Sequence, residues 1–222
     1  MQGHLHSKHG SEMAQEYKTI AKPGKGECEE KRSRFLGEAY PVTTEEEIRG
    51  ILDRVRKQYY DARHHCYAWV LGEDSGSRRA SDDGEPQGTA GAPILKVLEG
   101  SGCTNALIVV TRYFGGTLLG TGGLVRNYTQ AAKAALSDSG IVVRRAGGEL
   151  ELTLDYPLLE PAKYALSREG ITPFDVRYSD RVAMKIIVPL ESEEAVRKAL
   201  EGLGYGRIGI TVLNRDFYDF LH

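Results

Sequence analysis

Apolar residues along this chain fall into two periods, and the switches between them mark out its elements. "RSRFLGEAYPV", residues 32–42, mixes apolar and polar positions as a strand does and ends near a proline. "TTEEEIRGILDRVRKQYYDA" turns to helical spacing. Thr44 and Glu47 form a capping box, and Ile48, Ile51, Leu52, Val55 and Tyr59 make one stripe. "HCYAWVLG" is an apolar strand and "EDSGSRR" a turn. "TAGAPILKVLEGSG" suits a helix entered near Thr89, with Pro93 tolerated in its opening turn. "NALIVVTRYF" is the most hydrophobic stretch and reads as a central, buried strand. After a glycine-rich loop, "LVRNYTQAAKAALSDSG" is a helix carrying Leu124, Tyr128, Ala131 and Ala135 on one face and stopped by Gly140.

Residues 141–148, "IVVRRAGG", read as a short strand running into a linker. Beyond them strand, helix, strand, strand, helix and strand follow in order, the ferredoxin-like βαββαβ unit. The expectation is a mixed α/β chain of the α+β kind in two domains, 17–145 and 149–222, behind an unstructured leader at 1–16.

Composition narrows the function classes. The chain has 222 residues and a formal net charge of −2, so no global field favours nucleic acid or membrane. Any nucleic-acid site must be a local patch. Residues 1–145 hold 20 Lys/Arg against 18 Asp/Glu, and the remainder 9 against 13, so the two parts differ in sign. Cys28, Cys66 and Cys103 are odd in number and without CxxC spacing, which points to a reducing cytosol rather than a disulfide framework or zinc site. No apolar run approaches the length of a membrane span, and the N-terminus lacks the apolar core of a signal peptide. His4, His6 and His9 could catch a metal, but a disordered or appended tail with Met13 as the natural start is the preferred reading.

Two stretches concentrate the candidate chemistry. Five of the nine residues at 115–123 are glycine: Gly115, Gly116, Gly120, Gly122 and Gly123. A strand, glycines and a helix start together suggest an anion site. Gly115 and Gly120 have Walker A spacing, yet Thr121 and Gly122 follow where Lys and Ser/Thr are needed. Val125 occupies the third glycine of the dinucleotide fingerprint. What remains is a loop that bares backbone N–H groups and lets another chain approach, flanked by Arg112 and Arg126, which suit phosphate or carboxylate oxygens. The alternative is a tight strand-to-helix connection with both arginines paired to nearby acids.

In "SDDGEPQGTAGAP", Asp82, Asp83 and Glu85 are close enough to hold Mg²⁺ or to neutralise those arginines. Turn formation and organisation of the glycine loop is the favoured role. Cys66 reads as a small buried side chain rather than a nucleophile. His64 reads as a hydrogen-bonded structural residue that could also line a site.

"ARHHCYAW", "SDDGEPQGTAGAPIL" and "VVTRYFGGTLLGTGGLVRNY", in this order and spacing, resemble the IMPACT/YigZ family over residues 33–136, and the tail resembles the small C-terminal domain of bacterial members. The resemblance implies a ribosomal-protein-S5-domain-2-like N-terminal domain, similar to domain IV of elongation factor G, and a ferredoxin-like half similar to its domain V. It also implies a link to translation, since eukaryotic relatives restrain a starvation-response kinase by competing for its activator.

The expected function is therefore a cytosolic binding protein, without a cofactor, that docks on structured RNA or the ribosome, with a translation-linked regulatory protein as a further partner and no membrane. Its contacts would be the glycine loop with Arg112, Arg126, Lys133, Arg144 and Arg145, opposed along that stretch only by Asp138. The alternative is a small metal-dependent, peptidase-like hydrolase using Asp82, Asp83, Glu85 and His64, with Mg²⁺ as the candidate ion.

Overall fold

The computed structural model describes residues 15–220, so most of the expected leader lies outside the described residues. The chain divides into two units, one of residues 17–144 and one built from Arg145 onward.

In the first unit, β1 (Glu16–Ile20) runs beside the 103–105 segment, Lys18 bridging Cys103. The hairpin β2 (Gly24–Glu30) and β3 (Ser33–Pro41) follows, then α1 (Glu45–Gln58), β4 (His64–Leu71), β5 (Ser77–Ser81), α2 (Gly91–Ser101), β6 (Ala106–Tyr113) and α3 (Gly120–Ser139). Five strands make one antiparallel sheet in the order β2-β3-β6-β4-β5. The most hydrophobic stretch is its central strand, and alternation along it sorts the two cores. Ile108 and Val110 join Phe35, Cys66, Leu98 and Tyr128 in the core shared with α2 and α3. Leu107 and Val109 meet Ile48, Leu52 and Val55 of α1 on the opposite face.

The α1 cap forms as its sequence predicts on one side: Thr44 Oγ1 accepts the Glu47 N–H at 3.2 Å. Its reciprocal bond shifts by one residue, the Glu47 carboxylate accepting from the Thr43 N–H at 2.7 Å.

The second unit contains β7 (Ile141–Leu154), which begins in the first, then α4 (Leu159–Arg168), β8 (Phe174–Tyr178), β9 (Val182–Pro189), α5 (Glu193–Gly204) and β10 (Gly209–Tyr218). The order β10-β7-β9-β8, all antiparallel, is that of a ferredoxin-like βαββαβ sheet. Alternate residues of β7 and β9, from Leu150 to Leu154 and from Val182 to Val188, face Ala162 and Leu166 of α4 and Val196 and Leu200 of α5.

Three sequence expectations change. No linker interrupts residues 141–154, because Gly147 and Gly148 lie inside β7. Glycine is required at 147 for close packing: a β-carbon there would sit 2.8 Å from the Phe220 ring and 2.9 Å from the Val188 carbonyl. "SRRAS" is the edge strand β5 rather than a turn, mostly exposed and so without an apolar signal. And α3 begins at Gly120, four residues before the expected start, so the second half of the glycine loop is helix.

Candidate functional site

The acidic stretch is a knot of backbone hydrogen bonds between β5 and α2. Asp83 and Gly84 both adopt positive φ, +42° and +87°, which turns the chain sharply. That turn aims Asp82 at the start of α2, which has no cap of its own. Its Oδ1 accepts the N–H groups of Ala90 at 3.0 Å and Gly91 at 2.8 Å, and its Oδ2 accepts that of Gly88 at 2.8 Å. Burial works to raise the Asp82 pKa, but these three bonds outweigh it and hold the carboxyl below its ordinary value.

Asp83 faces β4 instead. It accepts the His65 N–H at 2.7 Å and stands 3.5 Å from the Arg56 guanidinium. His64 donates from Nδ1 to the Asp83 carbonyl at 2.9 Å, the hydrogen-bonded structural role. Cys66 donates to the Asp82 carbonyl, and burial pushes its thiol pKa far up, which opposes the thiolate form. Among the described residues no three His, Cys, Asp or Glu side chains converge as a metal site would need.

Glu85 is the member of the cluster that reaches an arginine flanking the glycines, and it reaches Arg112 alone. Its Oε1 accepts from Arg112 at 2.7 Å and from the Tyr128 hydroxyl at 2.8 Å, with the carboxylate and guanidinium only 3% and 6% exposed. The register explains the meeting: Arg112 on β6 lies opposite Phe35 on β3 and His64 on β4. Its guanidinium packs over Phe35 and Phe114, 5.4 and 5.6 Å from the ring centroids, and its Nε has no hydrogen-bond partner among the described residues. Arg112 therefore does not offer its charge at the surface. It braces the end of β6, which leads into the glycine turn, against Tyr128 of α3.

In the glycine turn, two positions serve the fold. A β-carbon at Gly115 would lie 2.1 Å from the Arg32 carbonyl carbon, so glycine lets this turn press against the β2–β3 hairpin. Gly123 sits tight under Leu119. Gly116 and Gly120 take positive φ, +85° and +70°. Gly122 is open, a β-carbon there meeting only the Arg126 guanidinium at 3.9 Å.

The start of α3 has no side-chain cap and no acid in its first turn, and Gly120, Thr121 and Gly122 are exposed. Arg126 belongs to the second helical turn, not the first as expected. It still reaches back to the glycines because helical side chains lean toward the N-terminus. It is 70% exposed, with a 3.6 Å surface pairing to Glu30.

Sequence reading missed the opposite wall. Lys31 and Arg32 form the two-residue connection between β2 and β3, both at positive φ, +47° and +66°. The Arg32 Nη2 lies 3.9 Å from where a Gly116 β-carbon would be. The available signal was weak, since a Lys-Arg pair carries none of the Asn-Gly chemistry of such turns.

The other basic candidates disperse. Lys133 lines a groove between α2 and α3. Arg144 is exposed beyond the far end of α3, whose 20 residues span roughly 30 Å. Arg145 belongs to the second unit, where it bonds Glu191 at 3.1 Å and packs on Phe220. The surplus of charge along residues 112–145 is thus not one patch.

The comparisons with known proteins cover both units. The Impact N-terminal domain matches residues 31–136, and a domain of unknown function, DUF1949, matches residues 152–207. The IMPACT family member YvyE of Bacillus subtilis (strain 168) is 33% identical over 198 residues, 89% of this chain and 91% of that protein. The IMPACT family member YigZ of Escherichia coli (strain K12) is 48% identical over 108 residues, 48% of this chain and 53% of its own length. Protein IMPACT of Oryctolagus cuniculus matches 41% of this chain and 30% of its own at 33% identity. A crystal structure of a hypothetical protein, 32% identical, superposes with a TM-score of 0.61 over 91% of this chain and 99% of that one.

Proposed function

The chain belongs to the IMPACT family, and from that premise we propose that it is a translation-linked binding protein whose first unit docks on structured RNA or the ribosome. The tie to translation comes from the family resemblance; the docking surface comes from the glycine turn.

One observation carries the reading. The start of a 20-residue helix is uncapped and acid-free and exposes glycines at 120 and 122, with the Arg126 guanidinium beside Gly122 and the Arg32 guanidinium beside Gly116 in the turn that leads into it. Free N–H groups and the positive end of the helix dipole suit phosphate oxygens, and two flanking guanidiniums add charge to that preference. Phe114 and Leu118 are exposed beside it, 50% and 84%, and supply apolar surface for an unstacked base or a ribosomal protein. The strained Lys31-Arg32 connection fits the same reading, since a fold keeps left-handed non-glycine residues where their side chains are used.

Arg112 acts indirectly, by fixing the strand that enters the turn. Asp82, Asp83 and Glu85 are each committed to backbone or side-chain partners, and no observation favours the hydrolase alternative.

The test is co-sedimentation of the full chain with ribosomes, and binding to a structured ribosomal RNA fragment. Arg32→Ala combined with Arg126→Ala is expected to weaken association by about tenfold or more, at roughly 1 kcal/mol or somewhat more per charged contact. Gly122→Val keeps the charge, obstructs close approach, and is expected to weaken it as well. Wild-type protein that stays in the supernatant at low salt, or a double variant that binds as the wild type does, overturns the reading.

A further inference from the structure

Away from the glycine turn, α2 and α3 enclose an open groove of about 900 Å³. Its walls follow helical spacing, Ala92, Lys96 and Gly100 on α2 and Val125, Thr129 and Lys133 on α3, over a floor that includes Val97 and Leu136. The size lies in the range of small-ligand sites, which run to about 1,000 Å³ and combine an apolar lining with a few polar groups.

Small side chains keep the groove open. A β-carbon at Gly100 would meet nothing within 4 Å, so no packing partner explains glycine there. The charges are also one-sided. Among the described residues no carboxylate lines the groove, and two acids of the same helices are turned to other partners. Glu99 accepts from Arg78 at 2.9 Å, and Asp138 accepts the Lys25 N–H at 2.8 Å. Each wall thus contributes one lysine to a mostly apolar lining.

We propose that this groove binds a small amphipathic carboxylate, its apolar body against Val97 and Leu136 and its anionic head held by Lys96 and Lys133. The stems of both lysines can cover the apolar body while their ammonium groups meet the head. A neutral apolar molecule would leave both charges unused, and a cation would be repelled.

Decanoate is the probe, titrated calorimetrically into the full chain, with 1-decanol as its uncharged counterpart and displacement of 8-anilinonaphthalene-1-sulfonate as a second readout. One saturable decanoate site per chain is expected. Gly100→Leu, which fills the groove, is expected to weaken it at least tenfold while the melting temperature holds or rises, because leucine is the better helix former. Gly202→Leu, at an equally open glycine of α5, controls for the added side chain and should bind as the wild type does. Lys96→Gln with Lys133→Gln should weaken decanoate at least tenfold and leave decanol unchanged.

Equal affinity for decanoate and decanol, or a Gly100→Leu variant that binds like the wild type, overturns the proposal. So does a wild type that takes up no decanoate while Gly100→Leu alters the sedimenting mass, since the groove would then be a contact between copies of the chain.

Discussion

Glu85 and Arg112, 27 positions apart, share a contact that water barely reaches. Such a pair adds little over an apolar substitute, but breaking it strands a buried charge. Arg112→Ala is accordingly expected to cost about 3–5 kcal/mol, read as a lower denaturant midpoint, and Glu85→Gln with Arg112→Met to recover much of the loss. A single variant as stable as wild type would show that the brace is idle. Asp82 makes a pH-dependent contribution. Its folded pKa lies below the ordinary Asp value of about 3.9, so the fold favours the ionised form. That stabilisation is complete above the ordinary value and is lost as pH falls through the depressed one. Asp82→Asn should cost about 1–3 kcal/mol at pH 7, and the gap in melting temperature should close below about pH 4. A gap that stays constant down to pH 3 would mean that the charge is irrelevant.

At the scale of elements, the β2–β3 connection sets local stability against the proposed surface. Lys31 and Arg32 both hold positive φ, which costs about 1–2 kcal/mol for each residue that has a β-carbon. Lys31→Asn with Arg32→Gly supplies the preferred turn chemistry. It should raise stability by about 1–2 kcal/mol while weakening RNA or ribosome association; stronger binding together with higher stability would disconnect the hairpin from the surface. This hairpin also marks where sequence reading stopped. β3, β4, β6, β7 and β9 were legible because each buries an apolar face, and the mostly exposed β8 and β10 because they complete the alternation of strands and helices around them. β2 is largely polar and partly exposed, and β5 is an exposed edge strand, so neither carries a period. The start of α3 was hidden because its first turn holds three glycines, poor helix formers that tertiary packing overrides. The acidic stretch was readable as a source of partners for Arg112. The separation of the remaining cations was not, because only register and helix length decide whether neighbours in sequence are neighbours in space.

For the whole molecule, charge decides what kind of RNA contact is available. The net charge is −2, so attraction must come from a few groups within a Debye length of the phosphates, about 8 Å at physiological salt. Sequence counting suggests five cations between residues 112 and 145, but Arg112 is buried, Lys133 lines the groove, and Arg144 and Arg145 lie elsewhere. Beside the glycine turn stand Arg32 and Arg126, with Lys31 next to Arg32 in the β2–β3 connection. Each phosphate neutralised lowers log K by about 0.7–0.9 per decade of salt, so three contacts imply a slope of about −2 to −3, against about −3.5 to −4.5 for the five-cation surface. In the second unit, Arg177 is held by Glu151, and Arg181 bonds Asp155 at 2.9 Å. These cations are already matched, and the residues after 145 carry 9 Lys/Arg against 13 Asp/Glu. Arg177→Ala with Arg181→Ala should therefore leave both affinity and slope unchanged, whereas Arg32→Ala with Arg126→Ala should bring the slope to about −1. Binding measured from 50 to 300 mM salt separates the cases. A wild-type slope of about −4 or steeper, or one that responds to the second-unit pair, would move the contact surface away from the glycine turn.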